Sequence, residues 1–274
     1  MNVILAATDL SPRSDRAVAR AFRIAAEIGA RVSVVCVVDE DLPGTMCAKM
    51  AEEAGARLAS LSASIPDAGK AAHETRVVTG DPLRDLPRMA DEAGADLLVL
   101  GVHRPRPLMD MFRATTMEKI VRMSAAPVLV VREPAAAPYA TALAGVDLSP
   151  SAAVALRAAR RIAPGAALHA FHAYSVPFKG FLGEEGAASH PFRDEAASAL
   201  AEWRAAARLP EDFGEIDLVE GSVASALSAA LARLKPDLIA MGAHSRSTLS
   251  PTILGSFVTD LLRDPPADLL IARR

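Results

Sequence analysis

The chain repeats itself. Leu5-Ala6-Ala7-Thr8-Asp9-Leu10-Ser11-Pro12 is matched by Leu143-Ala144-Gly145-Val146-Asp147-Leu148-Ser149-Pro150. Each segment runs into an Ala/Arg-rich stretch, with Arg23-Ile24-Ala25 in one and Arg161-Ile162-Ala163 in the other. Farther on, Gly80-Asp81-Pro82 answers Gly221-Ser222-Val223. The run from Asp96 to His103 answers the run from Asp237 to His244. Matches in the same order at nearly constant offset mark a duplication, so each half must fold as a copy of one unit. Between them, Glu133-Pro134-Ala135-Ala136-Ala137-Pro138 reads as a short linker, because proline removes a backbone donor and discourages helix and central strand. The expected domains are residues 1–134 and 139–274.

Within each copy, short apolar and often β-branched runs alternate with helical stretches. Strands are expected near 2–8, 31–38, 74–78, 96–101 and 127–131, then near 141–146, 167–173, 215–219, 237–242 and 268–272. Continuous apolar runs of this length suit strands buried on both faces of a parallel sheet. Ser11-Pro12 and Ser149-Pro150 read as an N-cap followed by proline at the first helical position, and Asp81-Pro82 repeats the arrangement. Gly29 and Gly94 read as helix stops. Right-handed crossovers then define the expected fold class. It is α/β, with two tandem doubly wound, five-stranded parallel-sheet domains of Rossmann-like kind.

Composition removes several functions. Of 274 residues, 51% are hydrophobic, enough to bury two ordinary cores. The net charge is −3, and the longest basic cluster, Arg104 to Arg106, is too short for the basic face of a duplex binder, so no nucleic-acid partner is expected. Cys36 and Cys47 are spaced as no metal or redox motif, and Cys36 sits in an apolar run as a small hydrophobe. The N-terminal segment reaches Asp9 too soon for a signal peptide, and no apolar run is long enough to span a membrane. A cytoplasmic protein with no membrane partner is expected.

Ligands of doubly wound sheets bind beyond the carboxyl ends of the strands, where strand order reverses. Three segments should meet there: Asp9 or Asp147, then Val37-Val38 or Ala173-Tyr174, then the loop that begins at Gly101 or Gly242. In the second copy that loop runs from Gly242 to Gly255-Ser256, with a helix expected over 257–263. Its glycines admit close approach of backbone amides to an anion, and Ser256 would sit at a helix N-terminus. From spacing alone the loop reads equally well as a phosphate cradle or an ordinary Gly/Ser loop. Asp9 and Asp147 likewise read equally as helix caps or ligand contacts.

His103 and His244 follow equivalent glycines but have no second ligand at metal spacing, so no metal site is expected. His169 and His172, three apart in a strand, fall on opposite faces. No Ser-His-Asp order and no paired carboxylates recur in both copies, so no catalytic constellation is expected. The segment from Pro177 to Gly183 has no counterpart in the first copy and reads as a loop packed on its own domain. Trp203, on an Ala-rich amphipathic helix, reads as core or interface.

On these residues the chain resembles the universal stress protein family, over nearly its whole length. Members share a doubly wound domain with an acidic residue after the first strand. The ATP-binding members carry Gly-x-x-Gly, nine residues, then Gly-Ser or Gly-Thr after the fourth strand. Gly242 and Gly255-Ser256 are in register with that pattern, while Ser245 stands in place of the second glycine. The first copy keeps Gly101 but has Arg104 and Ala114-Thr115 at the other positions, and Arg104 would fill the space or, as the alternative, salt-bridge a phosphate. The resemblance implies that Asp147 contacts ribose or adenine and that Ala173 offers backbone groups to the base. Gly242, Ser245, Gly255 and Ser256 would surround the phosphates, with the Phe257 and Val258 amides assisting and His244 in the same loop. Asp9, Val37, Gly101 and Thr115 are the first-copy equivalents.

The implied protein is an adenine-nucleotide-binding stress-response module, not an enzyme, taking ATP with or without Mg and holding no covalent cofactor. A nucleotide-free scaffold, suggested by Ser245, Arg104 and Ala114, and a slow ATPase are the alternatives. The resemblance also implies that residues 127–131 and 267–271 pair as an intramolecular pseudo-dimer that covers two sheet edges. Further homodimerisation stays open.

Overall fold

The computed structural model describes residues 1–102, 115–177, 190–210, 213–243 and 254–273. The first copy runs β1 (Val3–Thr8), α1 (Pro12–Ile28), β2 (Arg31–Asp39), α2 (Gly44–Ser64), β3 (His73–Gly80), α3 (Pro82–Glu92), β4 (Leu97–Gly101), α4 (Thr116–Met123) and β5 (Val128–Val131). The second runs β6 (Thr141–Gly145), α5 (Pro150–Ile162), β7 (Ala167–Tyr174), α6 (His190–Ala206), β8 (Ile216–Glu220), α7 (Val223–Leu234), β9 (Leu238–Gly242), α8 (Ser256–Arg263) and β10 (Asp268–Ala272). Every expected strand forms. β3 is longer than its apolar run, because it pairs with β2 along its whole length, from Val32↔His73 to Asp39↔Gly80.

The helix starts are local chemistry. Ser149 Oγ accepts Ala152 N at 3.1 Å, Asp81 Oδ1 accepts Leu83 N at 2.9 Å, and Ser222 Oγ accepts Ser225 N at 3.1 Å. Ser11 and Ser14 form a reciprocal capping box at α1. Gly29 ends that helix at φ 70°, where a Cβ would be strained, and its N–H returns to Ala25 O.

The strands lie in the order β3-β2-β1-β4-β5-β10-β9-β6-β7-β8. Pairing within each copy is parallel, and β5 meets β10 antiparallel with Leu129 opposite Leu270. Val128 to Val131 and Leu269 to Ile271 are each at most 1% exposed. Left alone, either strand would expose an apolar edge; joined, the copies form one ten-stranded sheet with neither edge open there. One face of the sheet packs against α1, α2, α5 and α6 through Phe22, Leu58, Leu156 and Trp203. The other packs against α3, α4, α7 and α8 through Leu86, Ile120, Leu227 and Leu262. Both apolar layers run through both copies. Cys36 and Cys47 are buried in the first layer and unbonded to each other.

A buried polar joint locks the linker. Asp268, at 0% exposure, accepts hydrogen bonds from Tyr139 Oη at 2.6 Å, Arg132 N at 2.8 Å and Glu133 N at 3.1 Å. Arg20 Nε lies 3.2 Å from its carboxylate, Arg20 Nη1 donates to Ala137 O at 2.8 Å, and the guanidinium stacks 4.2 Å from the Tyr139 ring centre. Burial pushes the Asp268 carboxyl above its ordinary pKa, against the pull of the Tyr139 hydroxyl and Arg20. Burial together with the Asp268 charge pushes the Tyr139 phenol well up. One cluster thus ties α1, the linker and β10 together.

Candidate functional site

In each copy the strand order turns back between β1 and β4, or between β6 and β9. Crossovers leave in opposite directions there, and the carboxyl ends of the strands stay uncovered. The chain leaves β6 through Asp147 and then Leu148 at φ 62°; Leu10 repeats this at φ 60°. A non-glycine residue in that region costs on the order of 1–2 kcal/mol. Leu148 is held there by its buried side chain, and Trp203 Nε1 donates to Ser149 O at 2.9 Å. At the matching turn of the first copy, Arg57 Nη2 donates to Leu10 O at 3.1 Å.

That turn settles the geometry of the two aspartates. The caps are Ser11 and Ser149, and each aspartate braces its cap from outside the helix. Asp147 Oδ1 accepts from Ser149 N at 3.0 Å and from Ser149 Oγ. Asp9 Oδ1 accepts from Ser11 N at 3.0 Å and Ser14 Oγ at 2.6 Å. In both, Oδ2 has no donor among the described residues. Burial pushes the Asp9 carboxyl up, but the hydrogen bonds from Ser11 and Ser14 outweigh it and hold its pKa below the ordinary value.

Gly101 and Gly242 are required by packing. A Cβ on Gly242 would lie 2.7 Å from Ser151 Oγ and 2.8 Å from Ala152 N; one on Gly101 would lie 2.8 Å from Arg13 O. The first turns of α5 and α1 press against these strand ends, and only glycine leaves them room. Gly255 is different. It caps α8 at φ −60°, ψ 144°, a conformation open to any residue, and a Cβ there meets nothing within 4 Å among the described residues. Its N–H donates to Ala243 O at 3.2 Å, it offers no side-chain cap, and Ser256 is the first residue of the helix. The amides of Ser256, Phe257 and Val258 therefore have no acceptor among the described residues.

These groups converge. In the second copy, Asp147, Ala173, Gly242, Gly255, Phe257 and Val258 line a cavity of about 340 Å³. His172 shares its wall and was not singled out from the sequence as a site residue. Its Nδ1 lies 2.7 Å from Val146 O, so Nδ1 carries the proton and, in the neutral ring, Nε2 is left as an acceptor. The available signal was its place immediately before Ala173 at the end of β7. His169 lines a separate groove beside Asp217 and Arg233.

In the first copy, Asp9, Val37 and Gly101 line a cavity of about 460 Å³ that reaches down to Leu86, Leu100 and Ile120. Thr115 is buried; its hydroxyl accepts Glu118 N at 3.2 Å as the cap of α4, and the next residue, Thr116, is the one on the wall. His244 and Ser245, along with His103, Arg104, Ala114 and residues 178–183, lie outside the described residues. Among the described residues, no three His, Cys, Asp or Glu side chains gather as a metal site, and no helix is long and apolar enough to cross a membrane.

The model of the universal stress protein family matches residues 1–132 and again residues 138–273. The chain belongs to the universal stress protein family. It is 25% identical to a universal stress protein of Methanocaldococcus jannaschii over 93 residues, which span 34% of this chain and 57% of that protein. Its fold is similar to the crystal structure of a universal stress protein from Archaeoglobus fulgidus, with a TM-score of 0.72, 19% identity, and coverage of 100% of this chain and 96% of that one. It is also similar to a functionally unknown protein from Pseudomonas aeruginosa, with a TM-score of 0.67, 17% identity, and coverage of 99% and 92%. As a universal stress protein, the chain carries two tandem family domains in one polypeptide, each with its own rim cavity.

Proposed function

We propose that this universal stress protein is an adenine-nucleotide-binding module of a stress response, with ATP held in the second-copy cavity. The observation that carries this reading is the start of α8. Among the described residues, Gly255 leaves open space, no side chain caps the helix, and no acidic residue stands in its first turn. Free first-turn amides and the positive helix end favour a phosphate by about 0.3–1 kcal/mol each when exposed, and by more when partly buried. At the other end of the same cavity, Asp147 Oδ2 and His172 Nε2 are acceptors suited to ribose or amino donors, and Ala173, next to the last residue of β7, lies beside them. The volume, about 340 Å³, lies within the range of small-molecule sites.

Calorimetric titration with ATP tests the proposal. Saturation at one equivalent per chain is expected. Gly255→Asp should abolish it, because a carboxylate would then stand where the phosphates lie. Absence of saturation at millimolar ATP overturns the reading.

A further inference from the structure

The two rim cavities differ at the end where a phosphate would lie. In the first copy, one first-turn amide of α4 is taken by its own cap and the first turn carries an acid. Thr115 Oγ1 takes the Glu118 amide at 3.2 Å. Glu118 itself stands in the first turn, 1% exposed, with Oε1 3.2 Å from Arg263 Nε of the second copy. A carboxylate in the first turn offsets part of the positive helix end. In α8 the position equivalent to Thr115 is Ser256, inside the helix instead of capping it, and the position equivalent to Glu118 is Thr259.

At its other end, the first cavity keeps the aspartate and the strand ends of the second, with Cys36 standing where the second copy has His172. Asp9 follows β1 with Oδ2 undonated among the described residues, Val37 lies two residues before the end of β2, and Gly101 ends β4. Its floor is apolar, made by Leu86, Leu100, Met117 and Ile120. Arg13, the cation on the described wall, belongs to the first turn of α1 and not to α4. Among the described residues, the room left is therefore a slot with an apolar floor, a carboxylate at its mouth, and an α4 end that has one amide already capped and an acid in its first turn.

We infer that the first-copy cavity takes an uncharged nucleoside-like molecule, with a flat apolar body and hydrogen-bond donors, and turns away its phosphorylated forms. The inference rests on the nucleotide reading of the second copy: it keeps the aspartate proposed there for the nucleoside and weakens the helix end proposed for the phosphates. The chain would then read two forms of one ligand class, one at each rim.

Two methionines report the cavities separately. Met117 lines the first and Met241 the second. In full-length protein labelled with ¹³C at the methionine methyl groups, adenosine and ATP are titrated in parallel, with resonances assigned by Met117→Leu and Met241→Leu. Adenosine should move the Met117 signal saturably, whereas ATP should move Met241 and leave Met117 in place. Val37→Phe, at a half-buried wall position, should weaken the Met117 response to adenosine at least about tenfold. Thr116→Trp, on the exposed wall, gives the same reading should Val37→Phe lower the melting temperature. An unmoved Met117 signal in adenosine overturns the inference. So does an ATP response at Met117 equal to that of adenosine, or an adenosine response undiminished in both filled variants. An ATP titration that leaves Met241 unmoved removes the second-copy reading instead, so the two failures are distinguishable.

Discussion

Gly242→Ala and Gly255→Asp should behave as opposites, although both glycines line one cavity. The added Cβ at Gly242 would fall 2.8 Å from Ala152 N, about 0.6 Å inside the 3.4 Å at which ordinary contact begins. That nitrogen is backbone in the first turn of α5, held by the Ser149 cap, so it cannot swing aside as a long side chain would. Overpacking of this kind costs about 1–3 kcal/mol. At roughly 2–4 °C per kcal/mol for a domain of this size, the melting temperature should fall by a few degrees to about ten. Gly255 has φ −60° and open space, and aspartate is at least as good an N-cap as glycine, so Gly255→Asp should melt within a degree or so of wild type, or slightly above it. ATP affinity should follow the reverse order: largely kept in folded Gly242→Ala, lost in Gly255→Asp. Circular dichroism melts and calorimetry of the two variants decide the matter. A Gly242→Ala protein as stable as wild type, or a Gly255→Asp protein several degrees less stable, would refute this division of labour.

Three other outcomes are expected. Asp268→Ala strips the partner from buried Arg20 and Tyr139 and should cost about 3–5 kcal/mol in urea unfolding, while a loss under about 1 kcal/mol would mean that water satisfies the joint. Thr115→Ala should cost about 1 kcal/mol through loss of the α4 cap, whereas Gly255→Ser at the matching end of α8 should change stability by only a few tenths, both read from urea midpoints. Hydrogen bonds from Arg84 and Arg88 lower the Asp85 pKa from 3.8 to about 2. A depressed acid contributes stability that is present above its unfolded pKa and lost as pH falls through its folded one, so Asp85→Asn should flatten the decline in stability between about pH 4 and pH 2, and an unchanged acid limb would count against it.

The parts of the fold written in neighbouring residues were readable from the chain. Ser149-Pro150 and Asp81-Pro82 announce helices because a cap and its proline need only each other. The strands announce themselves by apolar runs, and the pairing of 127–131 with 267–271 came through the resemblance. What escaped depends on distance or on atoms. Arg20, Tyr139 and Asp268 meet from three remote segments, and an aspartate at the head of an apolar strand carries no sign of its partners. Leu10 and Leu148 adopt φ values that leucine does not advertise. Gly242 looked like room for an anion, but the neighbour that requires it is a helix some ninety residues earlier in the chain. Ser11-Pro12 and Ser149-Pro150 already mark the serines as the caps; what the sequence does not carry is the Leu10 and Leu148 turn that sets each aspartate to brace its cap through Oδ1.

The antiparallel seam between β5 and β10 turns the copies head to tail. The carboxyl ends of β1 and β4 therefore point toward one margin of the sheet, and those of β6 and β9 toward the margin opposite. Occupants of the two clefts could never touch or compete for the same docking protein at one spot. Any signal between them has to travel as strain through shared backbone, or through contacts that straddle the seam, such as Glu118 with Arg263.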